Sequence, residues 1–403
     1  MDTTQSVSQR EALVAKATSL HPLLATNAEI AERDRSLPDE NFKALIDSGT
    51  LRLLVPARVG GYEAGHRTYL DVVAELARSG CGSSGWYAFI LNMNDWIAGM
   101  MPPAAQEAVW ADGPDSEICA TLTPGPGCSV ATVPGGIRLS GKWGYASASK
   151  HANWAMIGYP ILDDAGSPID SGIALTTMDN LSIEDTWNVS GMAGTGSNTL
   201  VVDDVFVPTE FTQPLGPLLR GEFPYSPAGG GMYRADVAAV FWTSVCAPIY
   251  GLAQAALDAT ITRMTSRPKP ITYTFYRDAT KASYVQDAIA QAAAMIDAAI
   301  CQARAAADAI DEQARTGLQF ADPAQRHLNS MRAAHATRQC VAALELLLDA
   351  QGASAFALTN PIQRIWRDMS AAARHGLNLP GLKQELYGRS LLHAPEQQMS
   401  PMV

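Results

Sequence analysis

The strongest constraint on this chain of 403 residues is a change of hydrophobic period, from helical to strand-like and back again. From about Glu117 to Phe211, β-branched and aromatic runs (ICATLTP, CSVATV, GIRLSGKWGYA, NWAMIGYPIL, GIALTTM, NTLVVDDVFVP) alternate with Gly, Pro and Asp turns every 8–14 residues. That spacing predicts a compact β-barrel or sandwich. Before it, apolar residues recur three and four apart between Arg10 and Arg35, and helices are expected at Pro38–Ser48, Tyr69–Arg78 and Ser84–Met101, the last stopped by Pro102 and Pro103. After Asp236, Ala-rich amphipathic segments at 237–264, 284–317, 323–352, 363–373 and 382–392 predict a bundle. The fold class is therefore α+β. A helical domain (1–115) precedes a β-barrel (116–212), a Pro/Gly-rich linker or ordered loop (213–235) and a C-terminal four-helix bundle (236–403).

A net charge of −11 argues against nucleic acid or an anionic membrane surface as partner, since either favours a basic face. No apolar run reaches the ~18–20 residues of a bilayer span, and the N-terminus reads as polar rather than as a secretory signal. Six cysteines lie scattered, without CxxC pairs or metal spacing. A cytoplasmic protein without a metal site is expected. No G-x-G-x-x-G follows a strand and no P-loop is present, so a nicotinamide-oxidising site is not expected in this chain.

Gly141 to Trp154 reads GKWGYASASKHANW, with Trp143, Tyr145 and Ser147 at a period of two. Aromatic surface with one hydroxyl and several small residues suits a planar cofactor; an ordinary half-buried strand has the same pattern. A second stretch, GMAGTGSNTLVVDDVFVP (Gly191–Pro208), runs a Gly/Ser/Thr loop into a strand. Together the two resemble the acyl-CoA dehydrogenase superfamily, and within it the flavin-dependent monooxygenases that serve as oxygenase components of two-component aromatic hydroxylases. Gly141, Trp143, Tyr145, Ser147 and Trp154 match a G-x-W-x-F-x-S-G pattern with a following Trp, with Ala148 where Gly is usual. Gly194, Thr195, Gly196, Ser197 and Asp204–Pro208 match the second pattern.

The resemblance implies reduced FMN (or FAD) delivered by a separate flavin reductase, O2 as cosubstrate, and hydroxylation of a small phenol- or indole-like substrate through a C4a-hydroperoxyflavin. It implies a homo-oligomer, expected to be a tetramer. Trp143, Ser147, Thr195, Gly196 and Ser197 would bind the flavin, the loop by its hydroxyls and a backbone anion nest. Ser147 would stand near N5 as a catalytic residue. Gln351 and Gly352 loosely match a segment that approaches a neighbouring subunit's flavin, and Arg263 and Arg267 a helix end that reaches its phosphate. Arg364, Arg367 and Asp368 match an R-x-x-R-D helix and read as structural.

Beyond that helix, acyl-CoA dehydrogenases often carry a catalytic Glu; here the region is Ala373-Arg374-His375-Gly376. His375 is expected to accept a phenolic proton or orient a phenolate. Trp86, Asn94, Tyr145 and His375 are the expected substrate contacts, Asn94 standing where the monooxygenases often have a His. The alternatives are an acyl-CoA dehydrogenase-type desaturase and an N-hydroxylating monooxygenase of the same fold.

Overall fold

The computed structural model describes residues 3–222, 230–266, 268–316, 320, 322–395 and 399–400. The N-terminal periodic segment forms three helices, α1 (Thr3–Ser19), α2 (His21–Thr26) and α3 (Ala28–Asp34), the last closed by Arg35 in the left-handed region. Helix α4 (Asp39–Ser48) starts after Pro38 with two acidic residues in its first turn. Helices α5 (His66–Arg78) and α6 (Gly82–Ala98) carry almost wholly buried faces and pack together. Helix α6 ends at Ala98, ahead of the expected stop at Pro102 and Pro103, and Pro103 opens α7 (Pro103–Val109), where a missing N–H costs nothing.

The middle of the chain forms two four-stranded sheets, ordered β1-β4-β5-β8 and β2-β3-β7-β6. The strands are β1 (Ile118–Thr121), β2 (Ser129–Val133), β3 (Gly136–Ala146), β4 (Trp154–Leu162), β5 (Pro168–Thr177), β6 (Ser182–Glu184), β7 (Asn198–Pro208) and β8 (Thr212–Pro214). Only β1 and β4 run parallel; the other pairs are antiparallel. The sheets close over Cys119, Leu139, Trp143, Ile157, Leu200 and Val202, a core separate from the large helical one.

The expected linker is more ordered than its Pro and Gly content suggests. Its first residues complete edge strand β8, followed by α8 (Leu215–Leu219). Beyond it, Tyr233 is buried and donates to the Leu54 carbonyl at 2.7 Å.

The C-terminal part comprises α9 (Val237–Ser244), α10 (Cys246–Ser266), α11 (Ser283–Thr316), α12 (Pro323–Gln351), α13 (Pro361–Ala372) and α14 (Pro380–Leu391). Helices α10, α11 and α12 pack on one another, with α13 and α14 against them. By length and mean hydropathy (1.3) Val237–Ser266 could cross a membrane, contrary to the reading of the sequence; 94% of that apolar window is buried in the fold, the condition of a core helix. Where α10 crosses α5, a Cβ on Gly251 would stand 2.1 Å from the Ala74 carbonyl oxygen, so this close approach requires glycine.

Candidate active site

The end of β3 departs from strict alternation at a bulge between Trp143 and Ala146. Trp143 points between the sheets, and its indole N–H donates to the Gly158 carbonyl at 2.8 Å. Tyr145 adopts φ 65° and turns outward, 77% exposed and edge-on to Trp187. Ser147 turns back inward and is buried. The expected one-sided wall therefore does not form: Trp143 belongs to the barrel core, which removes it from any cofactor surface. Ala148 has φ 64°, so the Gly usual at this place in the resembling motif suits a left-handed backbone that costs alanine about 1 kcal/mol.

Inward-facing Ser147 heads a chain of hydrogen bonds across three elements. The Trp86 indole N–H, from α6, donates to Ser147 Oγ at 3.1 Å. Ser147 Oγ lies 2.8 Å from Ser197 Oγ, which lies 2.7 Å from Thr195 Oγ1. Thr195 donates to the Met192 carbonyl at 2.8 Å. Thr195 and Ser197 are thus buried behind Ser147 rather than presented to a ligand. The expected anion nest is largely closed as well. The Thr195, Gly196 and Asn198 N–H groups donate to Met192, Ala193 and Gly196 carbonyls, and Gly196, at φ 54°, serves the turn.

Helix α13 holds this loop in place. Asp368 Oδ1 accepts the Met192 N–H at 2.6 Å, and Arg367 donates to the Ser190 carbonyl at 2.7 Å while pairing with Glu32 of α3. A Cβ on Gly191 would stand 2.0 Å from the Arg367 carbonyl oxygen, so loop and helix touch backbone to backbone. Burial raises the Asp368 carboxyl pKa to about 6, against the lowering effect of the Met192 N–H and the Arg364 guanidinium. Arg367 and Asp368 position the Ser190–Met192 segment that leads into Thr195–Ser197.

Seven residues beyond Asp368 and just past the end of α13, His375 packs edge-on against Trp86 at 5.3 Å and Phe89 at 6.2 Å between ring centres. Its Nδ1 accepts the Leu377 N–H at 3.2 Å, so the proton of the neutral ring sits on Nε2. Burial lowers its pKa to about 4, with a smaller push from the Lys383 charge. Trp86 thus touches Ser147 with its N–H and His375 with its ring, joining the two residues that the sequence put 228 positions apart.

Phe89 and Lys383 escaped the sequence reading. Phe89 follows Trp86 by three residues, a helical spacing that signals a shared face. Nothing in LPGLKQELY marks Lys383, yet it is fully buried on α14 and donates to the Trp242 carbonyl at 2.7 Å, near the C-terminal end of α9. Burial lowers its pKa to about 7.

The remaining expected residues lie elsewhere. Asn94, two turns beyond Trp86 (~12 Å along the helix), donates to the Ile118 carbonyl at 2.6 Å and ties α6 to β1. The Gln351 amide is spent within the chain, donating to Thr260 Oγ1 at 2.8 Å and accepting from Asn360 at 2.9 Å; Gly352, at φ 64°, ends α12. Arg263 is partly exposed near the end of α10, without a hydrogen-bond or ion-pair partner among the described residues. Arg267 lies outside the described residues.

A barrel seated on helices, with an imidazole following R-x-x-R-D, defines a flavoenzyme-type architecture of the acyl-CoA dehydrogenase fold. Residues 243–379 match the family of the acyl-CoA dehydrogenase C-terminal domain. The flavin-dependent monooxygenase oxygenase subunit HsaA of Rhodococcus jostii (strain RHA1) is 33% identical over 373 residues, covering 92% of this chain and 95% of that protein. The oxygenase component of an FADH(2)-dependent resorcinol hydroxylase from Rhizobium sp. (strain MTP-10005) is 29% identical over 370 residues, 90% of each chain. Among solved structures, XiaF from Streptomyces sp., in complex with FADH2 and glycerol, superposes with a TM-score of 0.89 at 28% identity, covering 99% of this chain and 98% of that one. The chain belongs to the flavin-dependent monooxygenase oxygenase subunits and is an oxidoreductase.

Proposed function

We propose that the chain hydroxylates a small phenol- or indole-like aromatic compound, using reduced flavin from a separate reductase, at a site to which Ser147 and His375 contribute. The observation that carries this reading is the double contact of Trp86, which links a hydroxyl and an imidazole through one aromatic side chain. The residues present fit a flavin. Ser147 keeps a lone pair not used by its two hydrogen bonds. Trp86, Phe89, Ser147 and His375 offer a planar ring apolar contact and one polar point. When bound there, reduced FMN or FAD supplies the electrons that activate O2 for transfer of one oxygen atom to the substrate.

The chain's own residues hold and orient. Ser147, held by the Trp86 indole N–H, would hold the flavin's polar edge. Trp86 and Phe89, packed edge-on against His375, would keep water from its ring. His375, neutral and with its proton on Nε2, donates to the substrate oxygen and stabilises negative charge there; its engaged Nδ1 disfavours the role of proton acceptor. Exposed Tyr273, Phe275, Phe356, Leu358 and Leu392 support burial against further copies of the chain, as a homotetramer. We place the protein in the cytoplasm, where its reductase would work.

The test is to mix the anaerobic protein and photoreduced FMN or FAD with oxygen. An absorbance transient distinct from oxidised flavin, followed by hydroxylation of an added phenol, is expected. Immediate reoxidation to free oxidised flavin with both cofactors would refute the reading.

A further inference from the structure

A cavity of about 440 Å³ lies among α1, α5, α10 and α11, and it shares no lining residue with the candidate active site. Every residue that lines it stands on a helix, so its shape depends on no loop. Two of them, Ala74 and Tyr250, belong to the close α5–α10 crossing, where the Tyr250 hydroxyl donates to the Leu70 carbonyl at 2.9 Å. The cavity is therefore preformed, and its volume suits a small molecule.

Its polar centre is Asp71, whose side chain is only 8% exposed. One carboxylate oxygen accepts from Arg67 Nε at 3.0 Å and the other from Arg304 Nε at 2.9 Å. Arg10 Nε stands 3.8 Å away, an ion pair beyond hydrogen-bond reach. Guanidiniums from α1, α5 and α11 thus share one buried carboxylate. Arg67 and Arg78 are further spent on Asp308 and Asp258, and Glu75 accepts from the Thr18 hydroxyl at 2.8 Å. What remains is the Arg10 guanidinium and the terminal N–H groups of Arg304, which have no hydrogen-bond partner among the described residues. Val14, Ala15 and Ile300 give the same cavity an apolar wall.

We infer that this cavity binds a small organic carboxylate, its oxygens on Arg10 and Arg304 and its apolar body against Val14 and Ile300. A planar guanidinium fork matches a carboxylate with two parallel hydrogen bonds. Phosphate would satisfy the forks equally and leave the apolar wall unused. The chain's net charge of −11 does not forbid an anion here, because charges more than ~8–10 Å away are screened by salt and the nearest unspent groups are cations. The site needs neither flavin nor oxygen, so it stands or falls apart from the proposed function.

The test is calorimetric titration of benzoate into the purified full-length protein without flavin. Wild type should bind with a Kd on the order of 1 mM or below. Benzamide, of the same shape but uncharged, should bind at least ~tenfold more weakly, and so should benzoate to Arg10→Gln and to Arg304→Gln. Glu11 also lines the cavity and has no partner among the described residues. Glu11→Gln removes its repulsion and should tighten benzoate roughly two- to fivefold, a gain that mere structural disturbance would not produce. Inorganic phosphate at an equal concentration should not displace benzoate.

Benzoate bound equally by wild type and both arginine variants would lie elsewhere and overturns the inference, as does no binding at roughly tenfold above the expected Kd. Equal binding of benzamide, or weaker binding of benzoate to E11Q, overturns the role of the free guanidiniums. Displacement by an equal concentration of phosphate overturns the choice of an organic carboxylate.

Discussion

Replacing His375 separates a hydrogen-bond donor from a proton acceptor at the substrate oxygen. Its pKa falls from the ordinary 6.5 to about 4, chiefly through burial, so protonating the folded ring costs roughly 3 kcal/mol more than in water. A base with a depressed folded pKa adds stability that is fully present above pH 6.5 and lost as pH falls through about 4. At pH 7 only roughly one ring in a thousand is charged. His375 therefore leaves the rate flat from about pH 5 to 8 with a phenol that does not ionise in that range.

Donation from Nε2 to a developing phenolate is worth ~1.5–3 kcal/mol, or roughly 10–150-fold in kcat/KM. His375→Phe should lose that factor. His375→Gln, whose amide N–H reaches much as Nε2–H does, should stay within about tenfold of wild type. The assay is product formation with saturating reduced flavin, alongside hydrogen peroxide release as the measure of uncoupling. Should H375Q be as impaired as H375F, or activity fall along a single titration near pH 6.5, His375 is a proton acceptor and the tautomer argument fails.

Three further outcomes follow from the packing around the site. Asp368→Ala leaves the buried Met192 N–H without a partner and should cost about 1–3 kcal/mol in urea unfolding, with weaker flavin binding, whereas Asp368→Asn keeps an acceptor and should lose less than half as much. Lys383, lowered from 10.5 to about 7 mainly by burial, adds stability that is fully present above pH 10.5 and lost as pH falls through 7. Urea midpoints compared at pH 7.5 and 9.5 should show a component of up to about 1.4 kcal/mol per pH unit in wild type that is missing in Lys383→Met. Gly191→Ala forces a methyl against the Arg367 carbonyl oxygen, 2.0 Å away, and should destabilise by at least ~1–3 kcal/mol; a thermal midpoint equal to wild type would show that loop and helix do not abut there.

The sequence by itself determined the architecture, because hydrophobic period is a local property. The period of two over Glu117–Phe211 and the helical periods around it mark the barrel and its helices, and an imidazole in place of a carboxylate after Asp368 is plain in the string of letters. Side-chain direction was not legible in the same way. One bulge in β3 sent Trp143 into the barrel and Tyr145 outward, which no alternation rule anticipates, since an extra residue reverses every face beyond it. Only the tertiary structure decided that Thr195 and Ser197 stand behind Ser147, that the Gln351 amide is spent on Thr260 and Asn360, and that Lys383 is buried. Each of these depends on hydrogen-bond partners dozens to hundreds of residues away, or on burial against distant helices, and such partners are chosen when the layers pack.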